Sequence, residues 1–324
     1  MSKHAVIVPG GLNTDIIGLG VSRILSASEL TLGGELKIGP GGKARNMAQM
    51  AAAYLGKGTV AMIGRSSRDP FGFWKLPIQS LKAAGVDTSA IKIFDFKEAG
   101  NKFPGIALIP VDINGRNQIY VLPGVNNDFC QQDLDDAAVL FKNLTGNKIM
   151  LLALEIPLST ALYTIKKAAE NNIRVVLDPG GINQPINEFL NDQIFVLKPN
   201  EYEAQIITGV VIKDFASAQK AAQQMLRKGV KNVLITHGKK GGYLFNREIQ
   251  LHIPIPPMKD SGVHDETGCG DQVTALIAAG LAENMDLITA ARLAILGGTM
   301  QFYRNGIQPV ERIQLEHEWL KLKR

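Results

Sequence analysis

Between Lys148 and Ile255 apolar runs alternate with helix-like stretches in a pattern that few folds accommodate. Ile149–Leu154 reads as a buried strand, followed by a helix from about Ser159 to Glu170 and strands over Ile173–Leu177 and Ile194–Leu197. A helix is expected after Pro199-Asn200-Glu201 and another across Phe215–Lys228, then a strand over Val233–Thr236 and a hairpin-like segment from Gly241 to Ile255. Strands that are apolar throughout, rather than alternating, suit a sheet covered on both faces. Repeated βαβ units then give an α/β fold with a mainly parallel central sheet between helices.

Upstream the rhythm is less regular. Val6–Val8 is a short buried-strand candidate, and the GGLNTD that follows places Asn13 and Asp15 just past it, where ligands of open α/β sheets sit. In ELKIGPGGKARN, Gly39, Gly41 and Gly42 form a tight loop ahead of a helix marked by Met47, Met50, Ala51, Tyr54 and Leu55. Thr59–Gly64 returns as a strand. Ala99–Val121 alternates in strand fashion through Ile106, Leu108, Ile119 and Val121, with Asn114-Gly115 as a hairpin turn. A small β element is therefore inserted into the main body. The expected division is residues 1–10, 43–98 and 123–324 for the α/β body and 11–42 with 99–122 for a β lid.

DETGCGD, Asp265 to Asp271, enters an apolar helix in which Val273, Leu276, Ile277, Gly280 and Leu281 recur at helical spacing. Small residues let the backbone N–H groups of Gly268, Cys269 and Gly270 converge, and the helix dipole adds positive partial charge there. Such a loop is an anion hole. A carboxylate beside an anion site makes chemical sense as a base that deprotonates an attacking nucleophile, so Asp271 points to phosphoryl transfer onto a hydroxyl. Taken alone, the same residues also make an ordinary turn and helix cap.

Composition narrows the choice further. The 324 residues include 45% hydrophobic and 20% charged side chains, ordinary for a globular protein with a sizeable core. No apolar run reaches membrane-spanning length, and Ala5–Val8 stops at Pro9-Gly10-Gly11, too short for a secretion signal. A cytoplasmic location is expected. Cys130 and Cys269 lack metal or redox spacing, and the five histidines show no ligand pattern. The formal charge of +5 is spread among acids, apart from Lys321, Lys323 and Arg324 closing a helix around Leu315–Leu322, so nucleic acid is not an expected partner. There is no GxxxxGK[ST] loop, and Gly18-Leu19-Gly20 does not extend to a dinucleotide fingerprint.

The two glycine loops, with LLALEIP (151–157), LKPNEYEA (197–204) and ITHGKKGG (235–242), resemble the ribokinase, or PfkB-type, carbohydrate kinases along nearly the whole chain and in the same order. The resemblance implies a ribokinase-like three-layer sandwich with a β lid. It also implies roles: Asp271 as catalytic base, and Gly268, Cys269 and Gly270 as the anion hole. Asn200 and Glu203 would organise Mg²⁺ directly or through water, and Thr236, Gly238 and Gly241, with Asn200 and Gly270, would hold ATP. Asn13, Asp15, Gly42, Lys43, Asn46 and Glu155 match sugar-binding positions. GGLNTD and GIALIPVDINGRNQIYVLPGVN (105–126) look closest to ribokinase, implying ribose as acceptor. Fructose or a nucleoside is the alternative within the family, and a non-catalytic sugar binder the alternative outside catalysis. Asp265 and Thr267, with QFYRNGIQPV (301–310) supplying Gln301, Arg304 and Gly306, resemble a K⁺ cage, and exposed lid strands imply a homodimer.

Several residues depart from the family pattern. Glu266 stands where Thr is common, Cys269 where Ala is common, and Gln272-Val273 follow the catalytic acid in place of the usual pair. Arg45 replaces a small residue, Ile295 stands where an Asn often lies near adenine, and Val310 where Ser is usual.

Overall fold

The computed structural model describes residues 4–322. In chain order the strands are β1 (Val6–Pro9), β2 (Asn13–Val21), β3 (Glu35–Gly41), β4 (Val60–Arg68), β5 (Asp87–Asp95), β6 (Gly105–Asp112), β7 (Tyr120–Leu122), β8 (Ile149–Ala153), β9 (Arg174–Asp178), β10 (Ile194–Leu197), β11 (Asn232–Thr236), β12 (Gly242–Phe245) and β13 (Gln250–Ile253). The helices are α1 (Lys43–Leu55), α2 (Lys75–Ala83), α3 (Gln131–Asp136), α4 (Ala138–Lys142), α5 (Leu158–Glu170), α6 (Glu201–Thr208), α7 (Phe215–Arg227), α8 (Cys269–Ala282), α9 (Leu287–Phe302) and α10 (Arg312–Leu322).

The large sheet runs β13-β12-β11-β10-β9-β8-β1-β4-β5. It is parallel from β11 to β5, and the β12–β13 hairpin adds two antiparallel strands at one end. Side chains alternate across it, as the period of two requires. Val6 and Val8 of β1 enter one core with α1, α8 and α9, while Ile7 enters the other with α5, α6 and α7. Three layers result. Helix α8 is buried from Asp271 to Leu281, sandwiched against both sheet and α9, which explains why its sequence is apolar nearly all round.

A second sheet, β3-β2-β6-β7, stands apart from the first. Its β2–β6 pair is parallel and the flanking pairs are antiparallel, with the turn after Asp112 joining β6 towards β7. Leu36, Ile38, Tyr120 and Leu122 are exposed on these strands.

The local details differ from the sequence reading in three places. Gly39 and Gly41 lie on β3, not in a loop, and only Gly42, at φ 90°, forms the sharp entry to α1. Asn13 and Asp15 lie on β2 of the second sheet. Residues 87–95 form β5, an edge strand whose half-buried, mixed sequence carries no clean alternation.

Candidate active site

The parallel strands β8, β9, β10 and β11 end beside the N-termini of α1, α6 and α8, which is where an open α/β sheet places its ligand. Gly268, at φ 74°, caps α8, so Cys269 and Gly270 are the first helical residues and Asp271 is the third. The Cys269 N–H donates to Glu266 O at 3.2 Å, closing the turn, so only part of the amide set expected from DETGCGD remains to face an anion. The N–H groups of Gly270 and Asp271 belong to the first turn and have no carbonyl four residues back within the helix. The Cys269 thiol is pushed up to about 12 by burial and by Asp265, Glu266 and Asp271, which leaves it protonated and unreactive.

Asp271 is buried, and both its oxygens are held. Asn46 Nδ2 donates to Oδ2 at 2.7 Å and Lys43 Nζ to Oδ1 at 3.2 Å. Lys43 also lies 3.6 Å from Asp178 Oδ1. Asp178 ends β9, and its other oxygen meets Lys198 Nζ at 2.9 Å and Thr274 Oγ1 at 2.9 Å. Lys198 Nζ in turn donates to Gly270 O at 3.4 Å. Asp178 is wholly buried, yet the two ammonium groups hold its carboxyl far below the ordinary range. Burial disfavours the Lys43 charge, but Asp178, Asp271, Glu155 and Glu203 together raise its proton affinity well above normal. The centre is thus two cations interleaved with carboxylates.

The residues expected at the sugar come from β2 of the second sheet, from the start of α1 and from the turn after β8, with Asn126 of the turn Gly124–Asp128 beside them. Asn126 Nδ2 donates to Asn13 Oδ1 at 2.9 Å, while the same amide group bonds both the N–H and the carbonyl of Leu12. Glu155 Oε2 accepts the Lys43 backbone N–H at 2.9 Å. Burial raises the Glu155 carboxyl to about 7 and the Asp15 carboxyl to about 6, against the opposing pull of Lys43 and Arg45 respectively. Arg45 is fully buried and donates to Pro40 O at 2.7 Å, to Asn46 Oδ1 and to Gln49 Oε1, so this departure from the family pattern props the amide that holds Asp271.

Asn200 and Glu203 form a reciprocal cap on α6. Asn200 Oδ1 accepts the Glu203 N–H at 2.7 Å, and Glu203 Oε2 accepts the Asn200 N–H at 2.9 Å. Thr236 donates its N–H to Pro199 O at 3.0 Å, which ties the end of β11 to this cap. Gly238 lies in the exposed turn beyond it, and at Gly241 (φ 86°) a Cβ would approach Ile253 O to 2.2 Å. Ile295 is buried against Gly242. No group of three or more His, Cys, Asp or Glu able to hold a metal occurs among the described residues. Mg²⁺ still fits here, because it keeps most of its waters and needs few protein oxygens. Glu203 is buried, and its carboxyl is raised by burial and by Asp178, so added positive charge at its second oxygen would be favourable.

The positions expected to cage K⁺ are brought together, and their oxygens are engaged by N–H groups except for Gln301 Oε1, which is buried without a partner. Asp265 Oδ1 accepts the Thr267 N–H and Oδ2 the Gly306 N–H, each at 2.8 Å. Gln301 Nε2 donates to Thr267 O at 3.1 Å and Gly306 O at 2.6 Å, and Gln301 O accepts the Arg304 N–H at 3.0 Å. This donor set does not fit a bare monovalent cation.

The pattern of the pfkB family of carbohydrate kinases matches residues 3–309. The chain belongs to that family. It is 29% identical to the ribokinase of Lactococcus lactis over 308 residues, which cover 95% of this chain and 93% of the relative. To a deoxyribokinase of Salmonella typhi it is 27% identical over 287 residues, 88% of this chain and 89% of the relative. The solved structure of Arabidopsis thaliana ribokinase complexed with ribose and ATP superposes with a TM-score of 0.84 at 28% identity, covering 99% of this chain and 98% of that one. The α/β sandwich with its mostly parallel sheet is thus the ribokinase-like fold. Among the described residues no helix is long and apolar enough to cross a membrane.

Four residues in the centre of this kinase escape a reading of the sequence. Asp178, Lys198 and Thr274 meet Asp271's neighbours only because β9 and β10 are adjacent and face α8. Asn126 is reached only when the short 3₁₀ turn Gly124–Asp128 folds back onto Leu12. The one available signal was Lys198 itself, a lysine opening KPNE directly after an apolar strand, where a charge is out of place unless paired.

Proposed function

We propose that this carbohydrate kinase transfers the γ-phosphoryl group of ATP to the primary 5-hydroxyl of ribose, with Asp271 as the general base. The observation that carries this reading is the Asp271 carboxylate, buried at the mouth of α8 with Asn46 and Lys43 fixing its two oxygens. A base held this way presents its lone pairs in one direction, and orientation is most of what a general base needs beyond its proton affinity. The 5-hydroxyl oxygen attacks the γ-phosphorus, its proton passes to Asp271, and the bond to the β–γ bridging oxygen breaks to release ADP. Charge developing on the phosphoryl oxygens meets the first-turn N–H groups of α8 and the fixed Lys198 ammonium beside Gly270. Asn13, Asp15 and Glu155 offer a mixed set of acceptors and donors for the ring hydroxyls, with Lys43 and Asn46 at the end near the base. When bound, Mg²⁺ would neutralise the triphosphate, held through water by Glu203 and the Asn200 side of the α6 cap. Thr236, Gly238 and Gly241 supply the nucleotide loop. The exposed Leu36, Ile38, Tyr120 and Leu122 support a homodimer closed through the second sheet.

2-Deoxyribose is the second reading, carried by the similarity to a deoxyribokinase. The test is a coupled ADP-release assay with ribose, 2-deoxyribose, fructose and adenosine, with the product position read by phosphorus NMR. Ribose should give the highest kcat/KM and a 5-phosphate. A higher value for fructose or adenosine would overturn the sugar assignment, and no turnover with any acceptor would overturn the enzymatic reading.

A further inference from the structure

The segments on either side of the α8 entrance, Asp265–Gly268 and Gln301–Val310, must be locked together for the first-turn N–H groups to keep their direction. Resemblance to K⁺-using relatives assigns that task to a cation bound by oxygens. In this chain the contact is made by a side chain. Gln301, wholly buried near the end of α9, places its amide nitrogen 3.1 Å from Thr267 O and 2.6 Å from Gly306 O, one carbonyl from each segment. An NH₂ group has two protons to give, and each carbonyl receives one. The Asp265 carboxylate adds a second pair of ties, accepting the N–H of Thr267 and of Gly306. Further along, Arg304 Nη1 donates to Gln308 O at 3.1 Å and Pro309 O at 2.9 Å, and Gln272 Oε1 accepts the Val310 N–H at 3.0 Å. Val310 is fully buried and offers no oxygen from its side chain.

We infer that the Gln301 amide replaces the monovalent cation in this kinase, so that the anion hole is preorganised without K⁺. Both the charge and the geometry favour this. A cation would have to enter between the Thr267 and Gly306 carbonyls, where the Gln301 nitrogen already stands, and would meet N–H protons on the Asp265 oxygens. The Asp265 carboxylate is the one anion named in this network; its two oxygens are each engaged by an amide, and the Arg304 guanidinium already supplies a positive charge to the same segment. One atom argues the other way. Gln301 Oε1 is buried and has no hydrogen-bond partner. Turning the amide over would set that oxygen beside the two carbonyls, three acceptors with no proton among them, an arrangement that only a cation holds together. The two orientations therefore make opposite demands on K⁺.

The inference rests on the reading of α8 as the phosphoryl-transfer site, and the experiment separates the two. Turnover is measured in K⁺, Na⁺ and choline chloride at constant ionic strength, and thermal unfolding without substrate is measured in the same three solutions. The wild type should show rates within about twofold and equal midpoints in all three. Stimulation by K⁺ of fivefold or more over choline, or a midpoint raised by K⁺ alone, would overturn the inference and leave the kinase assignment standing. If no acceptor is phosphorylated, the site reading fails and the unfolding midpoints still decide the cation question. Gln301→Met removes both donors at similar volume and Gln301→Glu substitutes an acceptor. Each should lower kcat at least tenfold in choline with KM for sugar little changed, and in Gln301→Glu a metal cation should restore part of it. Either variant turning over like the wild type in choline would show that the amide does not perform the cation's task.

Discussion

Lys43 and Asp271, 228 positions apart in sequence, meet at 3.2 Å in the centre of the site. The pairing joins the start of α1 to the start of α8, so the two glycine-marked helix entrances converge on one carboxylate. It also joins that carboxylate to Asp178, since the same ammonium lies 3.6 Å from it. A single cation shared by two acids is offset by a second, Lys198, on the far side of Asp178. Neither acid can change charge without the other three groups responding.

Asp271→Asn keeps the shape of the side chain and the contact with Lys43 through its amide oxygen, while removing the proton acceptor. Turnover should fall by about a hundredfold to ten-thousandfold, the usual worth of a positioned general base. ADP affinity, measured by calorimetry, should change little. A variant retaining more than half the wild-type kcat would make Asp271 a structural cap.

Lys198→Met tests the inner half of the network. The Lys198 and Asp178 side chains are 2% and 0% exposed, so removing the ammonium leaves a buried carboxylate with only Lys43 as counter-charge. Breaking such a pair costs roughly 3–5 kcal/mol, visible as a lower urea midpoint. Adding Asp178→Asn should recover part of that stability. It should not recover kcat, because the charge beside Gly270 is still missing. Recovery of both together would confine Lys198 to a structural role.

Much of this could be read in the chain before folding. Strands such as Ile149–Ala153 and Val6–Pro9 are apolar without interruption because both faces are covered, and α8 is apolar because it is sandwiched. Asp271 stood out because an acid at an anion-binding helix entrance needs a chemical reason. Asp178 does not stand out, because an Asp after a strand looks like a turn residue, and Lys198 after an apolar strand signals a paired charge without naming its partner. Their meaning comes from strand order, which local pattern does not encode. The glycines of β3 read as a loop for the opposite reason, since glycine signals a turn even where, as at Gly41, it sits on a strand and makes room for a neighbour. The Asn200–Glu203 spacing reads in the sequence only as a metal motif, and the structure adds that the pair closes a reciprocal cap on α6.

Glu155 should give the apoprotein a measurable pH dependence. Its carboxyl is raised from 4.5 to about 7, chiefly by burial, so between those values the unfolded chain ionises it while the folded protein keeps it protonated. The folded state then binds more protons, and stability must fall as pH rises. Its contribution is full below about pH 4.5 and lost by about pH 7. Comparison with Glu155→Gln isolates this one group: the stability of wild type minus that of the variant should decline across the window and level off above it. A difference that stays flat from pH 4.5 to 7.5 would mean that the carboxyl is not raised.

Gly39 and Gly41 lie two residues apart on β3 and provide a matched pair of substitutions. A Cβ on Gly41 would lie 1.9 Å from Asp15 Oδ1, whereas one on Gly39 would meet nothing within 4 Å. Neither residue has a positive φ, so alanine adds bulk without backbone strain at either position. Gly41→Ala must push the Asp15 carboxyl out of its place, and a charged hydrogen bond lost to a substrate hydroxyl costs about 1.5–3 kcal/mol, more than tenfold in affinity. KM for ribose should rise by at least that factor in Gly41→Ala and stay near the wild-type value in Gly39→Ala, with ADP affinity unchanged in both. Asp15→Asn should raise KM similarly, and combining it with Gly41→Ala should add little, because both act on the same carboxyl. Full additivity of the two effects would show that Gly41 makes room for something other than Asp15.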